Sequence, residues 1–410
     1  MEILLETIDE KDSFFNFGGS DNFVLNGYRC FAGIDINHIS RFETVKKLKV
    51  QALADQPIYY AFGSSSGLCI TTPNGSIRDK NLLSKLLSLS GKDEDLSNFF
   101  EEYGFIFPAS NDQYSEYDLN DIKEVLNHLK STALLMSELQ NPDPDYTSIL
   151  RNTFYLLLSD PVEVLIPANA GKYKTCVHKI SSIISKASSI PEYDHKKELF
   201  DCGKYKIKDL ICPVFNEIDP DLYKDIQSTY AERELPVGWN TTLFKDIVYL
   251  YVNDPNESNG IRFIIDYLYH FMVEIGAIKS VSYENGIQLY DDKIDIVLNE
   301  RLQHNLFTLA KIVLNEELNS NLNGIIARFS VSNMQPSWRA KNLLSALYFS
   351  IFYTNPKSDI YRKCANPSCD KYFLVKASNS RKIYCSKECR NAAAQRSHRL
   401  KLKHNNSKDN

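Results

Sequence analysis

Cys364-Ala365-Asn366-Pro367-Ser368-Cys369 and Cys385-Ser386-Lys387-Glu388-Cys389 set two pairs of thiols on either side of a fifteen-residue interval in a 410-residue chain. Two closely spaced cysteine pairs separated by a loop of this length supply the four soft ligands of a tetrahedral zinc ion. Pro367 bends the first pair into a knuckle, and Tyr372-Phe373-Leu374-Val375 then reads as a strand. Ala377-Ser378-Asn379-Ser380 supplies a reversal and Arg381-Lys382-Ile383-Tyr384 a returning strand. Ser386 stands where it caps a helix, which puts Cys389 in the first turn. Knuckle, hairpin and helix in that order predict a treble-clef zinc finger with Cys364, Cys369, Cys385 and Cys389 around one Zn2+. Four thiolates close the coordination sphere, so the ion is structural and not catalytic. A segment this small buries too little apolar surface to fold alone, and the metal contributes on the order of 10 kcal/mol to its folding.

The same residues, together with Tyr372-Phe373, Arg381-Lys382-Ile383-Tyr384-Cys385-Ser386 and the run Cys389-Arg390-Asn391-Ala392-Ala393-Ala394-Gln395-Arg396-Ser397-His398-Arg399, resemble the CGNR-type zinc fingers of bacterial transcription-regulator-like proteins. The name-giving Cys-Gly-Asn-Arg stands here as Cys389-Arg390-Asn391-Ala392. The resemblance implies a bacterial DNA-binding role in transcription regulation, and it is confined to about a tenth of the chain.

At about 100° per residue the helix after Cys385 places Cys389, Ala393 and Leu400 on a narrow apolar stripe. Lys387, Arg390, His398 and Lys401 gather on one flank, and Arg396, Arg399 and Lys403 on the other. Positive charge on both exposed sides suits phosphate contact, with Asn391, Gln395 and the arginines placed for base edges. Lys387, Arg390, Asn391, Gln395, Arg396, Arg399, Lys401 and Lys403 are therefore the expected nucleic-acid contacts, with DNA favoured over RNA.

Charge is divided along the chain in the same sense. The formal total is -5, yet residues 362–410 hold 13 Lys/Arg against 3 Asp/Glu, which leaves 34 basic and 49 acidic residues before them. A body of about -15 thus precedes an end of about +10, and basic blocks of this kind form contact surfaces for polyanions. The competing structural expectation is that zinc staples the end of the chain and the basic helix docks on the acidic body or on another protein.

The rest of the sequence predicts an α+β protein with a predominantly α-helical body. Residues 1–116 form an α+β region, with strands at Ile58–Phe62 and Leu68–Thr72 flanking a Gly/Ser turn and helices near Phe42–Ala54 and Asn81–Leu89. Residues 117–355 form a mainly helical domain, with helices near Ile122–Leu139, Tyr146–Leu158, Leu222–Arg233, Leu243–Val252, Ile261–Ile275, Ile294–Leu318 and Ser337–Tyr353. Asn285-Gly286 between alternating apolar residues marks an inserted hairpin. Residues 356–403 make the finger with its basic helix, and 404–410 a disordered tail.

Weaker signals carry little. Gly63-Ser64-Ser65-Ser66-Gly67 fits the spacing of a nucleophile elbow, but Leu68-Cys69-Ile70-Thr71 reads as a strand where that motif needs a helix. Asp266, His270 and Glu274 recur every four residues and read as a solvated polar stripe. Asp143-Pro144-Asp145 is a turn before a helix, and Trp239 and Trp338 are packing residues. Cys30, Cys69, Cys176, Cys202 and Cys212 lack ligand spacing and read as reduced thiols. No catalytic set emerges, so the chain is read as a binding protein, with a nucleic-acid-processing enzyme as the lesser alternative. The body is expected to sense a small ligand or a protein partner. Met1 to Asp12 lacks the basic and apolar regions of a secretory signal, and Ile261–Ile278 carries Arg262, Asp266, His270 and Glu274, so the sequence predicts a cytoplasmic protein without a membrane partner.

Overall fold

The computed structural model describes residues 15–17, 22–25, 29–38, 44–53, 55–63, 67–74, 76–188, 242–253, 259–330, 334–353, 359–369, 371–376, 379 and 381–406. The chain forms two compact units that interleave along the sequence. Met1–Pro142, Val162–Thr175 and Leu318–Asn410 make one; Asp143–Pro161 and Cys176–Glu317 make the other. The stretch expected as one helical domain over 117–355 is therefore shared between them.

Antiparallel sheets build much of the first unit. One runs in the order Asn22–Leu25, Tyr59–Gly63, Gly67–Thr71, Ile77–Asp79, and a second in the order Arg29–His38, Thr44–Leu53, Ser115–Asp118. A third pairs Phe15–Phe17 and Ile325–Ser330 with the strand Gln335–Ala340 between them. Gly63 lies opposite Gly67, so the glycine-serine run joins strand to strand as the sequence predicts, with residues 64–66 themselves outside the described set. The expected helix near Phe42–Ala54 is instead the strand Thr44–Leu53. Leu48, Val50 and Ala52 point inward on alternate residues, a period of two that outweighs the looser helical spacing of Val45, Leu48 and Ala52.

The helix Leu119–Gln140 runs through this core, with Leu119, Ile122, Val125, Leu126 and Leu129 buried and the Asp118 side chain accepting from the Asn120 amide at 2.9 Å. The helix expected from Ser337 starts later. Gln335–Ala340 is a strand, and Asn342 opens the helix Leu343–Tyr353 by accepting from the Ser345 amide at 2.8 Å. Leu343, Leu344, Leu347, Tyr348 and Ile351 are all buried, as two adjoining apolar stripes require. Trp338 packs on the core, its ring 5.8 Å from that of Phe349.

In the second unit the helix Tyr146–Leu158 starts at Asp145, whose carboxylate accepts from the Thr147 and Ser148 amides at 2.9 and 3.3 Å. Helices Lys179–Ser188, Thr242–Asn253 and Asn259–Glu274 follow. The hairpin of Ile278–Ser282 with Gly286–Leu289 appears where Asn-Gly predicts it, and Gly286 takes the positive φ of 67° that the turn needs. The last long helix begins at Glu300 and not at Ile294, because Asn299 caps it by accepting from the Leu302 amide at 2.9 Å. Asp266 and His270 are buried, with Glu274 close behind at 3.3 Å from His270 Nδ1, so these residues form an interior polar row and not a solvated stripe. Residues 222–233 and Trp239, expected as a helix and a packing residue, lie outside the described residues. Among the described residues no helix is long and apolar enough to cross a membrane.

Candidate metal centre

The finger begins one strand earlier than its cysteines. Asp359–Lys363 pairs antiparallel with Tyr372–Lys376, with Tyr361 opposite Leu374 and Lys363 opposite Tyr372. The expected returning strand at Arg381–Tyr384 is absent among the described residues. That segment lies beside the knuckle, where the Ala365 amide donates to Ile383 O at 2.9 Å. Arg362 reinforces the arrangement by donating to Lys382 O at 3.2 Å.

Side chains alternate on this hairpin, so its two faces differ. Tyr361 enters the main core of the first unit, with Tyr372 and Leu374 packed beside it, while Ile360, Val375 and Phe373 form a small cluster of their own. Three hydrogen bonds fix the inner face. The Tyr361 amide donates to Ser137 Oγ at 2.9 Å, the Tyr361 hydroxyl to Asn81 Oδ1 at 3.0 Å, and the Tyr372 amide to Ser88 Oγ at 2.8 Å.

The first cysteine pair follows directly from this anchored strand. The Cys364 amide donates to Lys371 O at 2.9 Å and the Cys369 amide to Asn366 O at 2.8 Å, a tight knuckle around the buried Asn366. The second pair is set by the helix Lys387–Asn406, where Ser386 Oγ accepts from the Cys389 amide at 3.2 Å, the cap that the sequence predicts. Arg396 reaches back from this helix and donates to Ser368 Oγ at 2.8 Å, tying the helix to the knuckle.

All four sulfurs lie within 4.8 Å of one another. Cys369 Sγ is 3.7 Å from Cys385 Sγ, which is 3.5 Å from Cys389 Sγ. A regular tetrahedron with zinc–sulfur bonds of about 2.3 Å has edges of about 3.8 Å, so these spacings fit one zinc ion. Burial pushes the Cys369 thiol up and the Cys385 thiol up to about 12, whereas hydrogen bonds with Cys385, Cys369 and Ser386 draw Cys389 down to about 7. Thiols this close do not all ionise together without a counter-charge, which a divalent cation provides.

The helix that the centre seats is mostly exposed. Ala393 is buried and Cys389 half-buried, while Lys387, Arg390, Asn391, Gln395, Arg396 and Arg399 face solvent. The side chains of His398, Leu400, Lys401 and Lys403 lie outside the described residues. No described acidic side chain pairs with Lys387, Arg390 or Arg399.

No curated protein and no solved structure matches the chain. Residues 361–401 match the family model described as the CGNR zinc finger. With four sulfurs spaced for coordination, this segment is a zinc-binding CGNR finger.

Proposed function

We propose that the protein is a cytoplasmic nucleic-acid-binding protein of bacterial type that acts by binding and not by catalysis, with DNA as its target and gene regulation as its role. The observation that carries this reading is the helix Lys387–Asn406, which is fixed to the zinc centre at one end and on which Lys387, Arg390 and Arg399 are exposed, with no acidic partner among the described residues. Phosphates are the natural partners of such a surface, and Lys387, Arg390, Asn391, Gln395, Arg396, Arg399, Lys401 and Lys403 are the proposed contacts. Arg396 also serves the finger itself through Ser368. The hairpin packs on the core through Tyr361, Tyr372 and Leu374, none of them a charged residue of the helix. The acidic body would then sense a ligand or partner and alter how the helix is presented.

Deleting residues 360–410 would remove Tyr361 from the core, so surface substitutions give the cleaner test. Neutralisation of about five phosphates gives a slope of roughly -4 to -5 in log affinity against log salt on duplex DNA. Arg390→Glu with Arg399→Glu should weaken binding at least tenfold and flatten that slope by about two, with the melting temperature unchanged. Binding that ignores salt, or is absent with both DNA and RNA, overturns the proposal.

A further inference from the structure

A second group of metal-ligating atoms lies in the second unit, away from the finger's cysteines in sequence. Cys176 and His178 sit in the extended segment before the helix Lys179–Ser188, and Glu317 sits on the helix Glu300–Asn321. In an extended chain alternate residues share a face. Cys176 and His178 accordingly point inward at 7% and 2% exposure, while Val177 between them is 45% exposed. Cys176 Sγ, a His178 ring nitrogen and a Glu317 carboxylate oxygen lie within 4.8 Å of one another.

The neighbouring glutamate orients the ring. His178 Nδ1 is 2.8 Å from Glu316 Oε2, which also accepts from the Lys179 amide at 3.4 Å. A carboxylate on one ring nitrogen fixes its N–H there and turns the lone pair of the other nitrogen toward a metal, the usual outer support of a histidine ligand. That other nitrogen, Nε2, is buried and faces Glu317, whose Oε1 stands 3.3 Å away. In a tetrahedral site with metal–nitrogen and metal–oxygen bonds of about 2.0 Å, the nitrogen–oxygen edge is about 3.3 Å. The Cys176 thiolate with the carboxylates of Glu316 and Glu317 concentrates negative charge in an interior where unbalanced charge is costly, and a divalent cation offsets most of it.

We propose that Cys176, His178 and Glu317 form a second binding site for a divalent ion of the zinc class, with Glu316 as the residue that orients His178. Sulfur, imidazole and carboxylate together suit zinc over magnesium or calcium. Spacing alone does not pair Cys176 with a carboxylate, because the helix brings Glu316 to His178 from 138 residues away.

Metal analysis of the full chain purified without chelator tests this separately from the finger. About two equivalents of zinc are expected in the native protein. Cys389→Ser should remove the finger's equivalent, and Glu317→Gln or His178→Gln should each remove the other while leaving the finger loaded. A single equivalent in the native protein, lost with Cys389→Ser, overturns the second site, as do two equivalents that survive both second-site substitutions. Should those variants fail to fold, an anomalous map at the zinc edge from native crystals gives the answer: a peak among Cys176, His178 and Glu317 supports the site, and its absence there in zinc-loaded protein rejects it.

Discussion

Asn81 holds two elements of the first unit together with one oxygen. It sits at φ 53° before the helix Leu82–Leu87, and its Oδ1 accepts both from the Ser84 amide at 3.0 Å and from the Tyr361 hydroxyl at 3.0 Å. Asn81→Ala removes the cap and the acceptor that the Tyr361 hydroxyl uses, at a cost of about 2–3 kcal/mol, whereas Tyr361→Phe forfeits only about 1 kcal/mol. Urea midpoints of the two variants should keep that order, and equal losses would contradict the shared acceptor. Asp93 plays a comparable part on the surface. Hydrogen bonds from Lys123 and from Lys46, the latter at 2.5 Å, hold its carboxyl below the ordinary aspartate range. Because its folded pKa lies below the unfolded value of about 3.9, its contribution is full above that value and is lost as pH falls through the folded one. The melting temperature of Asp93→Asn should therefore fall short of the native protein's at pH 7 and converge with it as the pH drops from about 5 toward 2. A gap that stays constant over that range would mean that Asp93 is not the group responsible.

At the scale of the element, the finger joins two halves with different supports. The hairpin Asp359–Lys363 with Tyr372–Lys376 rests on the core, while the knuckle and the start of the helix Lys387–Asn406 rest on the sulfurs. Chelation should thus expose the amides of Ala365, Cys369 and Cys389 to hydrogen exchange while those of Tyr361 and Tyr372 stay protected. Uniform loss of protection through 359–406 would show that the metal also holds the hairpin. The knuckle, its ligands and the Ser386 cap are legible in the sequence because each is a local pattern with its own chemistry. Asp359–Lys363 is harder to read, since Ile360 and Tyr361 are both buried, on opposite faces, and a five-residue strand without a clean alternation gives a weak signal beside the cysteines. The same competition explains Gln335–Ala340, where Trp338 and Ala340 alternate with Ser337 and Arg339 and the true helix start is Asn342.

Across the whole molecule, sequence patterns report charge division well and the interleaving of units poorly. The basic end and acidic body are sums over residues and can be read without a fold. The partnership of Phe15 with Ala340, of the Leu68 amide with Ser350 Oγ, and of Cys176 with Glu317 depends on contacts between distant stretches, which no local period encodes. Function turns on the zinc centre, because it joins the start of the basic helix to the knuckle, with the Arg396–Ser368 hydrogen bond as a second tie. Anomalous scattering recorded across the zinc edge from crystals of the full chain tests it most directly. A single peak about 2.3 Å from the sulfurs of Cys364, Cys369, Cys385 and Cys389 is the result predicted; no peak there, or one bound by fewer than all four, would contradict it.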